Sequence, residues 1–279
     1  MKNKFIFNFT PTGMIPTKEM TEHVPIHPEE IVRQVLESVE YGVNMVHLHA
    51  RDYVTGVPTY KKEVYSEIIS GIRKENKYLV LCVSTSGRNF SEFEKRSECL
   101  ELSGELKPDF GSLTLSSLNF NQQASINAPD MIKALSQKML DNYIRPELEA
   151  FDLGMINYAK YLISKKLIQP PYYFNLILGN IACAQPNMLS LGLMIKELPD
   201  NSIWSVGGIG NWQLKMNAMA VIEGGGVRIG LEDNIYFDDD RKHLATNLDL
   251  IKRLAAVAKA LGKEPYSTKE AREILGCYN

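Results

Sequence analysis

Cysteine is scarce in this 279-residue chain: four are present, Cys82, Cys99, Cys183 and Cys277, with no C-x-x-C spacing among them. They are too few for a disulfide framework and fit a reducing compartment, so a cytoplasmic location is expected. Charge of one sign is missing too, with 31 basic against 33 acidic residues, a formal net charge of −2, no basic run and no acidic tail. Electrostatic capture of nucleic acid or of an anionic membrane is therefore not expected. No apolar run approaches the length of a membrane span. The apolar Phe5-Ile6-Phe7-Asn8-Phe9 that follows Met1-Lys2-Asn3-Lys4 is too short for a signal-peptide core. What remains is 44% hydrophobic and 23% charged, the make-up of a globular chain with room for a substantial core.

Short apolar or β-branched runs alternate with helical-period segments along the whole chain, the pattern of a parallel sheet wrapped by helices. Strands are predicted at Phe5 to Thr10, Met45 to His49, Leu79 to Ser84, Ser112 to Leu115, Pro146 to Ala150, Tyr173 to Gly179, Trp204 to Gly208 and Val227 to Gly230. Helices are predicted near Glu29 to Tyr41, Lys61 to Lys74, Phe90 to Leu102, Pro129 to Asp141, Gly154 to Lys166, Asn187 to Leu198, Gln213 to Ile222 and Asn247 to Leu261. Eight of each predict one (β/α)8 TIM barrel over residues 1–279, since an open doubly wound sheet normally stops at five or six strands. An extra C-terminal helix near Lys269 to Leu275 is introduced by Ser267 with Glu270 at capping-box spacing and ends at Gly276. The longest irregular stretch, Pro11 to His27, follows the first strand and belongs on the catalytic face as a lid.

Histidine is scarce as well, five in all, yet two of them, His47 and His49, stand one residue apart at the end of strand two. Period-two alternation sends both imidazoles the same way, which suits a metal or, equally, a hydrogen-bonded polar layer. Active-site groups of a barrel gather at the carboxyl ends of its strands. There stand Ser84-Thr85-Ser86-Gly87 after strand three, Ser112 in strand four and Glu147 and Glu149 in strand five. Gly207-Gly208-Ile209-Gly210 ends strand seven, and Arg228-Ile229-Gly230-Leu231-Glu232-Asp233-Asn234 carries strand eight into its loop.

Strand eight closes onto strand one, beside strand two, so Glu232 can approach the histidines. His47, His49 and Glu232 would suit Zn²⁺ with positions left open for substrate. Taken alone, Glu232-Asp233 also reads as a solvated turn. Arg228 reads either as a group that holds Asp233 or a substrate carboxylate, or as a barrel-interior ion pair with Glu147 or Glu149. Neither glycine cluster has the dinucleotide spacing, but amides after strands seven and eight are placed to take a phosphate.

Six blocks, Pro25-Ile26-His27-Pro28-Glu29-Glu30-Ile31, Val46-His47-Leu48-His49-Ala50-Arg51-Asp52, Ser84-Thr85-Ser86-Gly87, Gly207-Gly208-Ile209-Gly210, Val227-Arg228-Ile229-Gly230-Leu231-Glu232-Asp233-Asn234 and Ala271-Arg272-Glu273-Ile274-Leu275, together resemble the β-keto acid cleavage enzymes. That family is typified by an aminohexanoate-cleaving enzyme of lysine fermentation, an amino-acid degradation. The resemblance implies a (β/α)8 barrel, one Zn²⁺ per subunit, a homo-oligomer (dimer or tetramer), and a β-keto acid and acetyl-CoA as substrates, giving acetoacetate and a new acyl-CoA. By matching motifs, His47, His49 and Glu232 look like the metal ligands. Asp233 looks like the catalytic base supported by Arg228, and Glu149 matches a strand-five carboxylate near the site. Ser84 and Gly87 match residues that hold the keto acid, and Ser112 falls where the family has a small hydroxyl residue.

Three positions depart from the family pattern. Ile15 stands where the aminohexanoate-cleaving type has an acidic residue for the substrate ammonium, with Glu19 one turn of loop away. An apolar residue cannot balance a cation, so a substrate without the amine is expected. Gly226 stands where many members have histidine and Asn211 where arginine is usual; both are expected near the mouth, where they would alter CoA contacts. The competing expectations are another metal-dependent barrel enzyme of hydrolase or aldolase type, and a non-catalytic zinc-binding barrel. An amidohydrolase would need further histidines at the ends of strands five and six, which supply none.

Overall fold

The structure, a computed structural model, describes residues 3–277. Met1 and Lys2 of the basic start, and the last two residues of the chain, lie outside the described residues. Eight parallel strands close into one barrel in chain order. They are β1 (Phe7–Phe9), β2 (Met45–Leu48), β3 (Val80–Val83), β4 (Phe110–Thr114), β5 (Arg145–Ala150), β6 (Tyr172–Leu178), β7 (Ser202–Gly208) and β8 (Gly226–Ile229). Around them lie α1 (Pro28–Val39), α2 (Lys62–Glu75), α3 (Phe93–Ser97), α4 (Pro129–Asp141), α5 (Leu153–Ser164), α6 (Met188–Lys196), α7 (Gln213–Ile222) and α8 (Asn247–Ala260), with α9 (Thr268–Ile274) last. Among the described residues no helix is long and apolar enough to cross a membrane.

The predicted alternation is the observed one, and helices such as α1 and α2 show its cause in apolar stripes at four-residue spacing. Ile31 and Val35 of α1, and Val64, Ile68 and Ile72 of α2, are the buried members. Two segments differ. The helix expected over 90–102 is α-helical only at Phe93–Ser97 and then tightens into a 3-10 turn, Glu98–Glu101, in which Cys99 and Leu100 are both buried. The first strand is split at Ile6: Lys4–Phe5 pairs with Glu264–Pro265, and only Phe7–Phe9 enters the barrel. A short hairpin, Leu118–Asn119 against Ala124–Ser125, is an addition after β4 that no alternation pattern announced.

The barrel interior is layered. At its amino-terminal end Ile6, Met45, Val80, Cys82, Phe110 and Tyr173 form an apolar cluster, onto which Ala271 and Leu275 of the C-terminal segment pack. The capping box predicted at Ser267 is present, with Ser267 Oγ accepting from the Glu270 amide at 3.2 Å and Glu270 Oε2 accepting from the Ser267 amide at 2.9 Å. Asp109 clamps this plug by receiving Arg272 at 2.8 Å and Arg73 at 2.6 Å. Above the plug lies a polar layer: Asn8 Nδ2 donates to Glu147 at 2.8 Å, and the Tyr173 hydroxyl donates to Ser205 at 2.8 Å.

Candidate active site

At the carboxyl ends of the strands lies a cavity of about 390 Å³, lined by His47, His49, Ser84, Glu149, Arg228, Glu232 and Asp233 among others. Two turns bring the groups from β2 and β8 together. Gly230 has a φ of 155°, and a Cβ there would lie 2.0 Å from the Thr10 carbonyl oxygen, so only glycine lets the chain leave β8 and fold over β1. Gly13, in the 11–27 loop with a φ of 64°, lies so close to Glu232 that a Cβ would stand 2.5 Å from its Cγ and 2.9 Å from its Cα. Gly13→Ala is expected to cost about 1–2 kcal/mol in backbone strain alone and to push Glu232 out of place. Metal content and Tm should fall together, and a variant with wild-type metal content would separate Gly13 from the site.

Three atoms converge. His47 Nε2 lies 3.2 Å from His49 Nε2, and His49 Nε2 lies 3.2 Å from Glu232 Oε1. Ligands about 2.0–2.1 Å from a tetrahedral metal are about 3.3 Å from one another, so the spacing is that of coordination edges. Glu232 Oε2 is buried with no hydrogen-bond partner, a further sign that this carboxylate is shaped for a cation. The residues present fit a metal ion. A second group, His47 with Cys82 and Glu147, is also close enough to hold one. There, burial keeps the Cys82 thiol well above its ordinary pKa, so it stays protonated, and Glu147 is already bonded to the other ring nitrogen of His47.

That bond makes Glu147 a positioning residue. Fully buried, it accepts from His47 Nδ1, from Asn8 and from the Cys82 thiol at 3.3 Å. With a proton fixed on Nδ1, Nε2 faces the cavity and is the nitrogen that would give up its proton to a bound cation. Burial favours a neutral His47, but the carboxylates of Glu147 and Glu232 outweigh it and raise the group to about 9. His49 goes the other way, down to about 4, because burial outweighs the pull of Glu232. Glu147→Gln keeps the shape and loses the charge; it is expected to weaken metal binding by roughly 10- to 100-fold. Competition with a chelator of known affinity checks this, and an unchanged affinity would leave the Glu147 contact without function.

Arg228 organises the acids. Its Nη2 donates to Glu232 Oε1 at 2.7 Å, its Nε to Asp233 Oδ2 at 2.9 Å, and its Nη1 lies 3.7 Å from Glu149 Oε1. Both sequence readings of Arg228 thus hold at once. The two neighbouring carboxyls are driven apart. Glu232 lies well below its ordinary pKa, because Arg228 and His49 outweigh its burial. Asp233 is raised to about 6 by burial and by the charge of Glu232, against the pull of Arg228. One is fixed as an anion and the other is poised to exchange a proton near neutral pH. Burial also raises Glu149, which accepts from Thr114 at 2.6 Å.

The other expected residues divide. Ser84 lines the cavity, and Ile15 lies at its rim, 49% exposed; Glu19 is exposed and not part of the lining. Ser112 and Gly87 are not part of the lining either. Ser112 Oγ accepts from the Thr85 amide at 3.0 Å and its carbonyl accepts from the Thr85 hydroxyl at 2.6 Å, so it braces the strand-three loop from behind. The space at Gly87 is filled by the Arg96 guanidinium and the Ile126 carbonyl, both within 2.6 Å of where a Cβ would be.

Most amides of the turns after β7 and β8, where a phosphate cradle was expected, are already engaged. The amides of Ile209, Gly210, Leu231, Glu232, Asp233 and Asn234 all donate within the protein. Gly226 is at the amino end of β8, packed on Ser205 and Ile6, so it lies opposite the mouth; Asn211, in the 3-10 turn after β7, is at the mouth end as expected.

Sequence reasoning gave no role to Glu147 as a partner of His47, or to Arg51, Arg88 and Phe120. The i, i+2 pairing of Glu147 with Glu149 carried a signal for the first. Arg51, buried, donates to the carbonyls of Gly13, Pro16 and Gly56 at 2.9, 2.9 and 2.8 Å and so fixes the 11–27 loop over the mouth.

The sequence profile of the beta-keto acid cleavage enzymes matches residues 4–277. The chain belongs to that family. It is 34% identical, over 99% of its length and 98% of the relative's, to a 3-keto-5-aminohexanoate cleavage enzyme of Fusobacterium nucleatum. It is 30% identical, over 99% of its length and 96% of the relative's, to a 3-oxoadipate:acetyl-CoA acetyltransferase of Cupriavidus necator. In fold, this β-keto acid cleavage family member superimposes on the apo structure of ObcA with a TM-score of 0.76 at 19% identity, covering 91% of this chain; it spans 65% of ObcA's length.

Proposed function

We propose that this protein is a zinc-dependent β-keto acid cleavage enzyme that converts a β-keto acid and acetyl-CoA into acetoacetate and a new acyl-CoA. The observation that carries the reading is the opposed pair Glu232 and Asp233, bonded to one arginine beside two histidine nitrogens. His47, His49 and Glu232 would hold the metal. When bound, zinc supplies a Lewis acid for the keto oxygen of the substrate. Asp233 takes the proton from the carbon between ketone and carboxylate. Arg228 keeps Asp233 aimed and offsets the negative charge that develops, with Glu149 completing the charged wall. The resulting carbanion equivalent attacks the thioester carbonyl, the CoA thiolate leaves and then adds to the former ketone, and the carbon–carbon bond breaks to give the new acyl-CoA and a carbanion that takes back the proton held on Asp233 to leave as acetoacetate. Ser84, which lines the cavity, would hold the acid.

A purely structural metal site closes its coordination sphere with protein ligands. This one opens onto a cavity that also contains an acid–base group, which supports catalysis. The apolar side chain of Ile15 at the rim supports a substrate without an ammonium group. Four free cysteines suit a cytoplasmic enzyme, which we expect to work as a homo-oligomer.

The deciding experiment incubates zinc-loaded protein with acetyl-CoA and a panel of β-keto acids whose tails are cationic, neutral or anionic, and measures acetoacetate. Product with at least one neutral or anionic tail is expected, with the 5-amino acid the poorest. No acetoacetate from any member would overturn the assignment.

A further inference from the structure

The cavity contains a second arginine that the reaction above does not use. Arg88 lines it, in the loop after β3, and makes no ion pair among the described residues; its Nε is buried without a hydrogen-bond partner. Glu149, Glu232 and Asp233 also line the cavity, but all three are committed to Arg228. Burial holds the Arg88 pKa below its ordinary value, with those carboxylates pulling the other way from a distance. A guanidinium taken partly out of water without an acceptor is unfavourable unless something else supplies the anion.

Its orientation is fixed by an aromatic wall. The guanidinium carbon lies 3.7 Å from the centre of the Phe120 ring, the stacked arrangement that leaves the planar edge of the fork free. Phe120 is backed in turn by Phe151, edge to face at 5.9 Å, and both rings line the cavity. The hairpin that was absent from the sequence pattern supplies this wall, with Phe120 held by its amide donating to the Gln123 carbonyl at 2.9 Å.

We propose that Arg88 is a substrate-binding residue that receives a carboxylate of the keto acid, edge-on against Phe120. The inference rests on the keto acid reading above. The carboxylate has two sources: the one every β-keto acid carries, and a second at the far end of a dicarboxylic acid. Where Arg88 takes the far-end carboxylate, it and the apolar Ile15 together select against a cationic tail and in favour of an anionic one.

The test compares 3-oxoadipate with 3-oxohexanoate, acids of equal chain length that differ in the tail carboxylate, on wild type, Arg88→Gln and Arg88→Lys. The Gln variant is expected to raise KM for 3-oxoadipate by roughly 10- to 100-fold with little change in kcat, and the Lys variant to recover part of that, since lysine keeps the charge and loses the fork. A rise confined to 3-oxoadipate assigns Arg88 to the tail; an equal rise for both acids assigns it to the carboxylate of the reacting end. Either supports the proposal. An unchanged KM for both acids, or a rise in the KM for acetyl-CoA alone, overturns it. If wild type turns over neither acid, calorimetric titration of the two into wild type and Arg88→Gln reads the same contrast as Kd, so a failed reaction does not mask the role of Arg88.

Discussion

Asp233→Asn is expected to lower kcat by roughly 10²- to 10⁴-fold while metal content and Tm stay near those of the wild type. The substitution preserves shape and leaves Arg228 its 2.7 Å bond to Glu232, so the charge cluster survives; what disappears is the one carboxyl raised to about 6. A general base must be ionised to accept a proton, so kcat/KM should rise with pH through the Asp233 pKa and fall below it. A bound divalent cation adds positive charge beside Asp233 and moves that acid limb downward from about 6. Steady-state acetoacetate release followed from roughly pH 4.5 to about 8 checks both parts. A variant that retains more than about a tenth of the wild-type rate would remove Asp233 from the base role.

His49→Ala is expected to abolish metal retention, with activity lost in parallel. Wild type should carry about one equivalent of zinc, as an open three-ligand site implies. Losing a ligand should weaken binding beyond the roughly 100-fold reached by losing an outer hydrogen bond. His49 is a better choice than His47. Removing His47 would leave the fully buried Glu147 without the one ion pair it makes among the described residues, and an uncompensated buried charge costs about 3–5 kcal/mol, which risks the fold itself. Metal analysis after dialysis, with Tm measured alongside, decides the matter. Equal and negligible zinc in both proteins would sink the metal assignment.

The barrel was legible because its signal is repeated: eight short apolar runs alternating with helical-period segments are hard to arrange any other way, and the Ser267 and Glu270 spacing marked the last helix where it forms. The ligand set was legible for a related reason. Two histidines at period two must share a side, and chain closure brings β8 next to β1 and β2. Less legible was whatever depends on side chains meeting across the barrel. Glu147 reaches His47 from three strands away in the barrel order, and Ser112 and Gly87 turn behind the wall because Thr85 and Arg96 take up their contacts. Gly226 was misplaced because a strand has two ends, and only its pairing with Ser205 shows which one it occupies. The 118–125 hairpin has strands of two residues, below the length at which alternation can be read.

The groups around the expected metal position come from strand ends and their first turns, namely β2, β5 and β8. The surfaces that would meet the variable part of a substrate come from loops: Ile15 after β1, Arg88 after β3 and Phe120 after β4. Selectivity can therefore drift without disturbing reactivity. Exchanging the 118–125 hairpin and the residue at position 15 amounts to changing the jaws of a tool while keeping its handle. An engineer seeking a different keto acid should begin with those segments and leave the polar floor, from Asn8 through Glu147 to His47, untouched.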